Sequence, residues 1–130
     1  MVKILIIGLA ACFVFSTMEA KEIKIKEEAI ESLIIGINST NTGLRTSAAN
    51  MLGEVKSQKA VIPLMKMLRT EKQENARIVA ALALYKIGDE RGIHALKQAI
   101  KFDQSERVRR LCYNFYNLHV RKRSDDDLNN

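Results

Sequence analysis

Two histidines, His94 and His119, are the residues of this chain best suited to proton transfer or metal binding. They lie in different predicted helices, and neither belongs to a metal-ligand spacing such as His-Glu-x-x-His. The sequence also lacks a glycine-rich phosphate loop, a CxxC pair and the nucleophile turn of hydrolases. We therefore predict no catalytic residues, no metal site and no cofactor, and we expect that the protein is not an enzyme.

A cysteine and a run of aspartates are the remaining candidates for reactivity or metal binding. Cys112 follows Ala80 at the same interval at which Ala80 follows Ala48. This position predicts a small buried spacer, with a reactive or dimer-forming thiol as the alternative. The triplet Asp125 to Asp127 offers oxygen ligands, but no EF-hand spacing supplies the further oxygens that calcium requires. We predict that neither feature is a functional centre.

A set of cations at helical spacing is the best candidate for partner binding. Two predicted helices each carry a line of side chains three or four residues apart, and therefore on one helix face. The seven candidate partner-binding residues are Lys59, Ile62, Lys66, Arg69, Arg91, His94 and Lys101. We predict that they dock an acidic segment of another protein, with the cations supplying long-range attraction. The alternative is that they are ordinary solvated side chains.

The overall charge favours related partners. The chain carries 21 Lys and Arg residues against 15 Asp and Glu residues, a net charge of +6. Such a surplus attracts acidic proteins, anionic lipid headgroups and polyanionic envelope polymers, and salt weakens the attraction. The alternative function to a protein-binding module is therefore a binder of an anionic membrane surface or an envelope polyanion.

An internal repeat shows which elements must position these side chains. The segments 44–75 and 76–107 align position by position without a gap, and a truncated third copy opens at Val108. Self-similarity at this period predicts a stack of helical pairs in which neighbouring units bury a shared apolar seam. Stacks of this kind usually hold partners rather than transform substrates.

The apolar spacing between residues 27 and 120 is helical throughout. It predicts six helices, at about 27–37, 44–55, 59–69, 75–87, 90–101 and 105–120. The stripe of Ala48, Ala49, Leu52 and Val55 recurs one repeat later as Ala80, Ala81, Leu84 and Ile87. We predict an all-α fold, an α-solenoid of antiparallel helix pairs with two full repeats between two half repeats.

The last predicted helix combines cations with aromatic side chains. They are Arg107, Arg109, Arg110, Tyr113, Phe115, Tyr116 and Arg121. We predict that Phe115 and Tyr116 cover the open end of the stack while the arginines keep that end soluble. Contact with a protein or a membrane surface is the alternative, and binding of single-stranded nucleic acid is the least favoured interpretation.

The two ends of the chain lie outside the repeat. Residues 1–20 combine a short positive start, an apolar run and small residues up to Ala20, which predicts an export signal and a periplasmic or secreted protein. Lipidation at Cys12 is the alternative, because residues 9–12 resemble a lipoprotein box. We interpret residues 21–26 as a short linker, residues 27–120 as the repeat domain and residues 121–130 as a charged, disordered tail.

The repeated segments resemble a known family. Leu44 to Val55 and Ala76 to Asp89 share an arginine at the second position and an Ala-Ala pair. A Leu-Gly step follows in the first segment and Ile-Gly-Asp in the second, and each segment is followed by an apolar helix. This order resembles HEAT repeats, and especially the short-repeat type named after the phycobilisome lyases. The resemblance implies a right-handed superhelix whose first helices are convex and whose second helices line the concave face.

The resemblance also implies a ladder of arginines and aspartates between repeats. Arg45, Arg77 and Arg109 match the arginine position, but only Asp89 matches the aspartate, because Ser57 takes its place in the earlier repeat. The ladder is therefore expected to be incomplete. Lyase activity is not carried over, because a repeat fold transmits geometry more reliably than chemistry.

Overall fold

The computed structural model describes residues 26–129 of the chain. The chain divides into two compact units, Met1–Ser32 and Leu33–Asn130. The described part of the first unit, residues 26–32, is helical, and the Ser32 hydroxyl donates to the Glu28 carbonyl at 3.0 Å. The predicted export signal, the lipidation alternative and nearly all of the predicted linker lie outside the described residues.

Six α-helices account for most of the described chain, which confirms the predicted all-α solenoid. They are α1 at 26–37, α2 at Thr42–Glu54, α3 at Val61–Thr70, α4 at Glu74–Ile87, α5 at Glu90–Phe102 and α6 at Glu106–Leu128. A 3-10 turn at Gln58–Ala60 leads into α3. Residues 26–129 contain no β-strand. Between these same bounds, no helix is both long enough and apolar enough to cross a membrane.

Polar caps set the helix starts. Asn41 accepts a hydrogen bond from the Leu44 amide, so α2 begins two residues before the apolar pattern does. Asp89 caps α5, and Ser105 caps α6, in the same way. Gly88 ends α4 with a φ of 74°, a left-handed conformation that glycine adopts without a steric cost.

The second unit packs its helices in two layers. The first helices of successive repeats, α2, α4 and α6, pack side by side, and the second helices α3 and α5 form the other layer. Each second helix also packs against the first helix of the following repeat. The fully buried large side chains are Leu52, Val61, Leu64, Leu84, Leu96, Val108 and Cys112. These positions confirm the predicted apolar seam.

Val55 departs from the predicted apolar stripe. Its side chain is 44% exposed, whereas the equivalent Ile87 is 8% exposed. The reason is that α2 ends at Glu54, so Val55 is already the C-terminal cap and the chain turns at Lys56. In the next repeat α4 continues one residue further and carries Ile87 into the core.

The C-terminal segment also differs from its prediction. Residues 121–128, expected to be disordered, continue α6. The physical reason is in their spacing, since three cations at 121–123 are followed four residues later by three aspartates at 125–127. Opposite charges four residues apart stabilise a helix, and the Ser124 hydroxyl bonds to the Val120 carbonyl at 3.1 Å.

The predicted burial of Cys112 is confirmed. Its side chain is fully buried in α6. Burial, with a smaller contribution from the negative charge of Asp103, raises the pKa of the thiol to about 12. The thiolate is therefore scarce at neutral pH, which disfavours the alternative of a reactive cysteine.

Candidate partner-binding site

A groove lies between the second helices α3 and α5. Its volume is about 470 Å³. The floor and walls are mostly apolar, and the lining residues are Met65, Leu68, Arg69, His94, Ala95, Gln98, Ala99, Phe102 and Asp103. An apolar concavity with a few polar groups at its edge suits a segment of another protein.

Two of the seven predicted binding residues, Arg69 and His94, line this groove. They come from different helices, α3 and α5, so the groove joins two consecutive repeats. His94 Nε2 lies 3.3 Å from the Gln98 side-chain nitrogen, one turn further along α5. The groove therefore brings together one predicted residue from each of two neighbouring repeats.

The other five predicted residues lie outside the groove. Lys66 lines a separate depression of about 250 Å³ near the start of α2. The remaining four are exposed and do not line the groove. Lys59 lies in the 3-10 turn and Ile62 in α3, whereas Arg91 and Lys101 lie in α5. The seven predicted residues are thus spread over a wider surface than the groove itself.

Arg91 is already engaged within its own helix turn. Its Nε donates to Asp89 Oδ1 at 2.9 Å, and its Nη2 donates to Asp89 Oδ2 at 3.1 Å. These hydrogen bonds lower the pKa of the Asp89 carboxyl and raise the pKa of Arg91. Arg91 is therefore a weaker candidate for an incoming carboxylate than Arg69.

The sequence prediction missed the apolar part of the groove. The predicted helix stops at residue 101, but α5 continues to Phe102, whose side chain is 77% exposed at the groove edge. Met65 contributes from α3. A usable signal existed, because Ala95, Ala99 and Phe102 are spaced four and three residues apart and so share one helix face.

A polar ladder runs along the loops that follow the second helices. Arg77 donates from Nε and Nη2 to the two carboxylate oxygens of Asp103, at 2.9 and 3.0 Å. Its Nη1 donates to the carbonyls of Glu71 and Lys72 in the preceding loop. Each rung thus ties the start of a first helix to the loop before it and to the end of its own repeat.

The same arrangement repeats one unit earlier. Arg45 donates from Nε and Nη2 to the carboxylate of Glu71, and from Nη1 to the carbonyls of Ser39 and Thr40. The hydrogen bonds to Glu71 raise the pKa of Arg45. Because the Glu71 side chain binds Arg45 while its carbonyl binds Arg77, consecutive rungs are linked.

The ladder corrects the expectation drawn from the family resemblance. The acids are Glu71 and Asp103, each 26 residues after its arginine, and Asp89 binds Arg91 instead. Glu71 and Asp103 are themselves separated by one full repeat, a signal that the sequence contained. The ladder is therefore carried by both full repeats, although the predicted aspartate is missing at Ser57.

The aromatic residues of α6 do not all cover the open end. The Phe115 ring stacks inward on Tyr85 of α4, with centroids 5.7 Å apart and planes 15° apart. Tyr116 lies under the Lys97 ammonium, which is 5.6 Å from the ring centroid. Tyr113 is the exposed member, at 54%. The predicted covering role is wrong for Phe115, because its face of α6 packs on α4.

A second depression, of about 440 Å³, lies where α6 extends beyond the stack. Four cations border it, namely Lys56, Lys86, Lys122 and Arg123. Glu90 and Asp126 also line it, and Arg123 approaches Glu90 at 3.6 Å. Cations that lie far apart in the sequence therefore gather at one place because the tail is helical.

Layered helix pairs with a repeated polar ladder define an α-solenoid, a class of protein built to present surfaces to other proteins. Comparison with known families gives a match to HEAT repeats over residues 26–114. The match covers more than half of the chain, and the chain belongs to the HEAT repeat family. HEAT repeats generally mediate protein–protein interaction. A search among curated proteins found no match.

Proposed function

We propose that the protein is a non-enzymatic protein-binding module, a scaffold or adaptor, that uses the groove between α3 and α5. The observation that carries the proposal is an apolar concavity that two repeats build jointly and that Arg69 borders. A surface of this kind excludes water from a partner side chain while the arginine attracts charge.

The groove suggests what the partner segment contains. One bulky apolar side chain fits between Met65, Leu68 and the exposed ring of Phe102. The Asp103 carboxylate in the wall is held by Arg77, so it does not oppose an incoming negative charge. We expect an apolar residue beside acidic residues, with the acidic residues directed to Arg69 and to exposed Lys101.

We propose further that the protein is exported and acts in the periplasm or outside the cell. The support is the sequence of residues 1–20, with lipidation at Cys12 as the alternative. Mass spectrometry of the mature N-terminus tests this, because cleavage after Ala20, a lipidated Cys12 and an intact Met1 give different masses. The short repeat length, from 44 to 75, supports the further proposal that the repeats are of the phycobilisome-lyase-like type.

A peptide selection tests the groove directly. A random peptide library is selected against the protein, and the enriched peptides are measured by fluorescence anisotropy. We expect enrichment of an apolar residue next to at least one Asp or Glu. The double variant Arg69→Glu, Lys101→Glu is expected to bind these peptides about tenfold or more weakly, because opposite charges become like charges.

Lys72→Glu is the matched control for this test. Lys72 is exposed in the loop after α3 and lines no part of the groove. This substitution is combined with Arg110→Glu, at an exposed site of α6 that also lies outside the groove, so the net charge falls by four as in the groove variant, and binding is expected to fall by less than about twofold at physiological salt. Equal losses in the control and in the groove variant would show a general charge effect and would contradict docking in the groove.

The basic depression beside α6 favours a second function, binding of an anionic membrane surface or an envelope polyanion. Lys56, Lys86, Lys122 and Arg123 border it from three parts of the chain. Sedimentation with vesicles of anionic or neutral lipids tests this function. We expect binding to anionic vesicles alone, strong loss of binding above physiological salt, and loss in the variant Lys122→Glu, Arg123→Glu.

A further inference from the structure

The third arginine of the ladder is held differently from the first two. Arg109 donates from Nη1 to the carbonyl of Asp103 at 2.7 Å, as Arg77 does to the carbonyl of Glu71 at 2.9 Å. One backbone contact is thus kept in all three copies, although Arg45 and Arg77 each donate to a second loop carbonyl as well. Within residues 26–129, however, no carboxylate accepts from Nε or Nη2 of Arg109.

The two complete rungs show what binds at this edge of the guanidinium. In both, the acid is the residue that caps the C-terminus of a second helix, Glu71 after α3 and Asp103 after α5. Both carboxylates bind two arginine nitrogens at once. The two paired nitrogens of a guanidinium match a carboxylate in this way and give strong, directional recognition.

A residue beside Arg109 is exposed although its equivalents in the earlier repeats are buried. Tyr113, four residues later on the same side of α6, is 54% exposed, while the equivalent Ala49 and Ala81 are fully buried. Gly53, four residues after Ala49, touches α4 at Ala83, so this side of a first helix faces the following repeat. On α6 the same side presents an aromatic ring beside an arginine.

We propose that this end of the stack, at Arg109 and Tyr113, binds a helix of another protein that ends on an aspartate or glutamate. The helix takes the place that α3 and α5 take in the complete repeats. Its terminal carboxylate accepts from Nε and Nη2 of Arg109, as Glu71 and Asp103 do in the complete rungs, and Tyr113 lies beside this contact on the side that faces a following repeat. This surface adjoins the groove between α3 and α5 at Asp103, but neither Arg109 nor Tyr113 lines the groove.

The chain itself supplies the probe for the test. A peptide of residues 90–105, with blocked ends, contains α5 and the capping Asp103. It is titrated into the full-length protein while the Arg109 Nε–H signal is followed by NMR. We expect this signal to shift and saturate with the peptide. The peptide with Asp103→Asn is expected to bind about tenfold or more weakly, since a charge-assisted bidentate contact is lost.

Two protein variants locate the contact. Arg109→Gln is expected to weaken binding of the acidic peptide by a similar factor, whereas Arg110→Gln, which removes the same charge from an exposed neighbour, is expected to leave it unchanged. If Arg109→Gln fails to fold, the aspartate and asparagine peptides still decide the question on the unchanged protein.

Three results would overturn the proposal. The first is equal binding of the two peptides. The second is peptide-induced shifts confined to the groove, at Leu68 and Ala99. The third is an Arg109 Nε–H signal that changes on dilution of the protein alone, because a second copy of this chain would then occupy the surface in place of another protein. Loss of groove binding in Arg69→Glu would not affect this test, so the two proposals fail separately.

Discussion

Neighbouring first helices meet at two junctions, α2 with α4 and α4 with α6, and equivalent positions of the two junctions carry different residues. Between α2 and α4, Gly53 lies against Ala83, and a Cβ added to Gly53 would be 2.8 Å from the Ala83 Cα. Between α4 and α6, the equivalent residues are Tyr85 and Phe115, which stack as rings. One junction therefore brings backbones into contact, and the other fills the same place with aromatic side chains.

The polar ladder differs less between the repeats. In both rungs the arginine donates from the same three nitrogens, and the carbonyl acceptors occupy equivalent positions. The Arg77 side chain is nearly buried, at 4% exposure, whereas the Arg45 side chain is 18% exposed. The ladder therefore fixes the position of each repeat, while the side chains that fill the contact between neighbouring first helices can differ in size. Variants at both kinds of contact test this division.

Arg77→Met is expected to have the largest effect. It leaves the Asp103 carboxylate, which is 7% exposed, without its charged partner, at a cost of about 3–5 kcal/mol in the free energy of unfolding. Arg45→Met is the matched variant in the more open rung and is expected to cost about 1–2 kcal/mol. Urea denaturation measures both. Equal losses would mean that burial does not distinguish the rungs.

Gly53→Val is expected to destabilise the close junction by about 2–3 kcal/mol, because the added atoms meet the Ala83 backbone and neither helix can yield cheaply. Ser47→Val adds a similar side chain at an exposed site of α2 and is expected to change stability by about 0.5 kcal/mol or less. Thermal unfolding compares the two. A harmless Gly53→Val would show that the backbones are not in contact.

Phe115→Ala is expected to cost about 1.5–2 kcal/mol, roughly half the value for a fully buried ring, because Phe115 is half-buried on Tyr85. Tyr113→Ala removes an exposed ring from the same helix and is expected to cost about 0.5 kcal/mol or less. Chemical denaturation gives both values. Equal losses would show that stacking of Phe115 on Tyr85 does not stabilise the contact between α4 and α6.

The smallest effect concerns the polar edge of the α4–α6 junction. The Ser105 hydroxyl and Arg107 donate to Glu74 and lower the pKa of its carboxyl, so the paired carboxylate stabilises the fold at neutral pH. This contribution is lost as pH falls through the folded pKa, below about 4.3, the ordinary glutamate value.

An NMR titration of the Glu74 carboxyl measures this effect. Ser105→Ala is expected to raise the Glu74 midpoint, and Ser47→Ala, on α2, is expected to leave it unchanged. An unmoved midpoint in Ser105→Ala would assign the lowered pKa to the arginines Arg107 and Arg77.

The layers and the core were predictable because each depends on spacing alone. The repeat period and the apolar stripes of Leu52 and Leu84 required only local pattern. The ladder acids were not predicted because Glu71 and Asp103 are the C-terminal caps of α3 and α5 and lie between the predicted helices, where the apolar spacing gives no signal. Their shared period was visible, but their pairing with distant arginines depends on how two helices bring their ends together.

The groove was only partly predictable for a similar reason. Helical spacing identified exposed polar side chains of α3 and α5, including Arg69 and His94, but it could not say which of them border a concavity. Phe102 was missed because α5 extends to its last apolar residue. The helical tail was missed because charge composition was weighed without its four-residue spacing.

The central claim is that a partner binds between α3 and α5, and NMR mapping of the tightest selected peptide tests it most directly. We predict that the largest amide shifts fall on Leu68, Ala95 and Ala99, and that they disappear in the Arg69→Glu, Lys101→Glu variant. Shifts concentrated on the first helices α2 and α4, with the groove amides unmoved, would contradict the account.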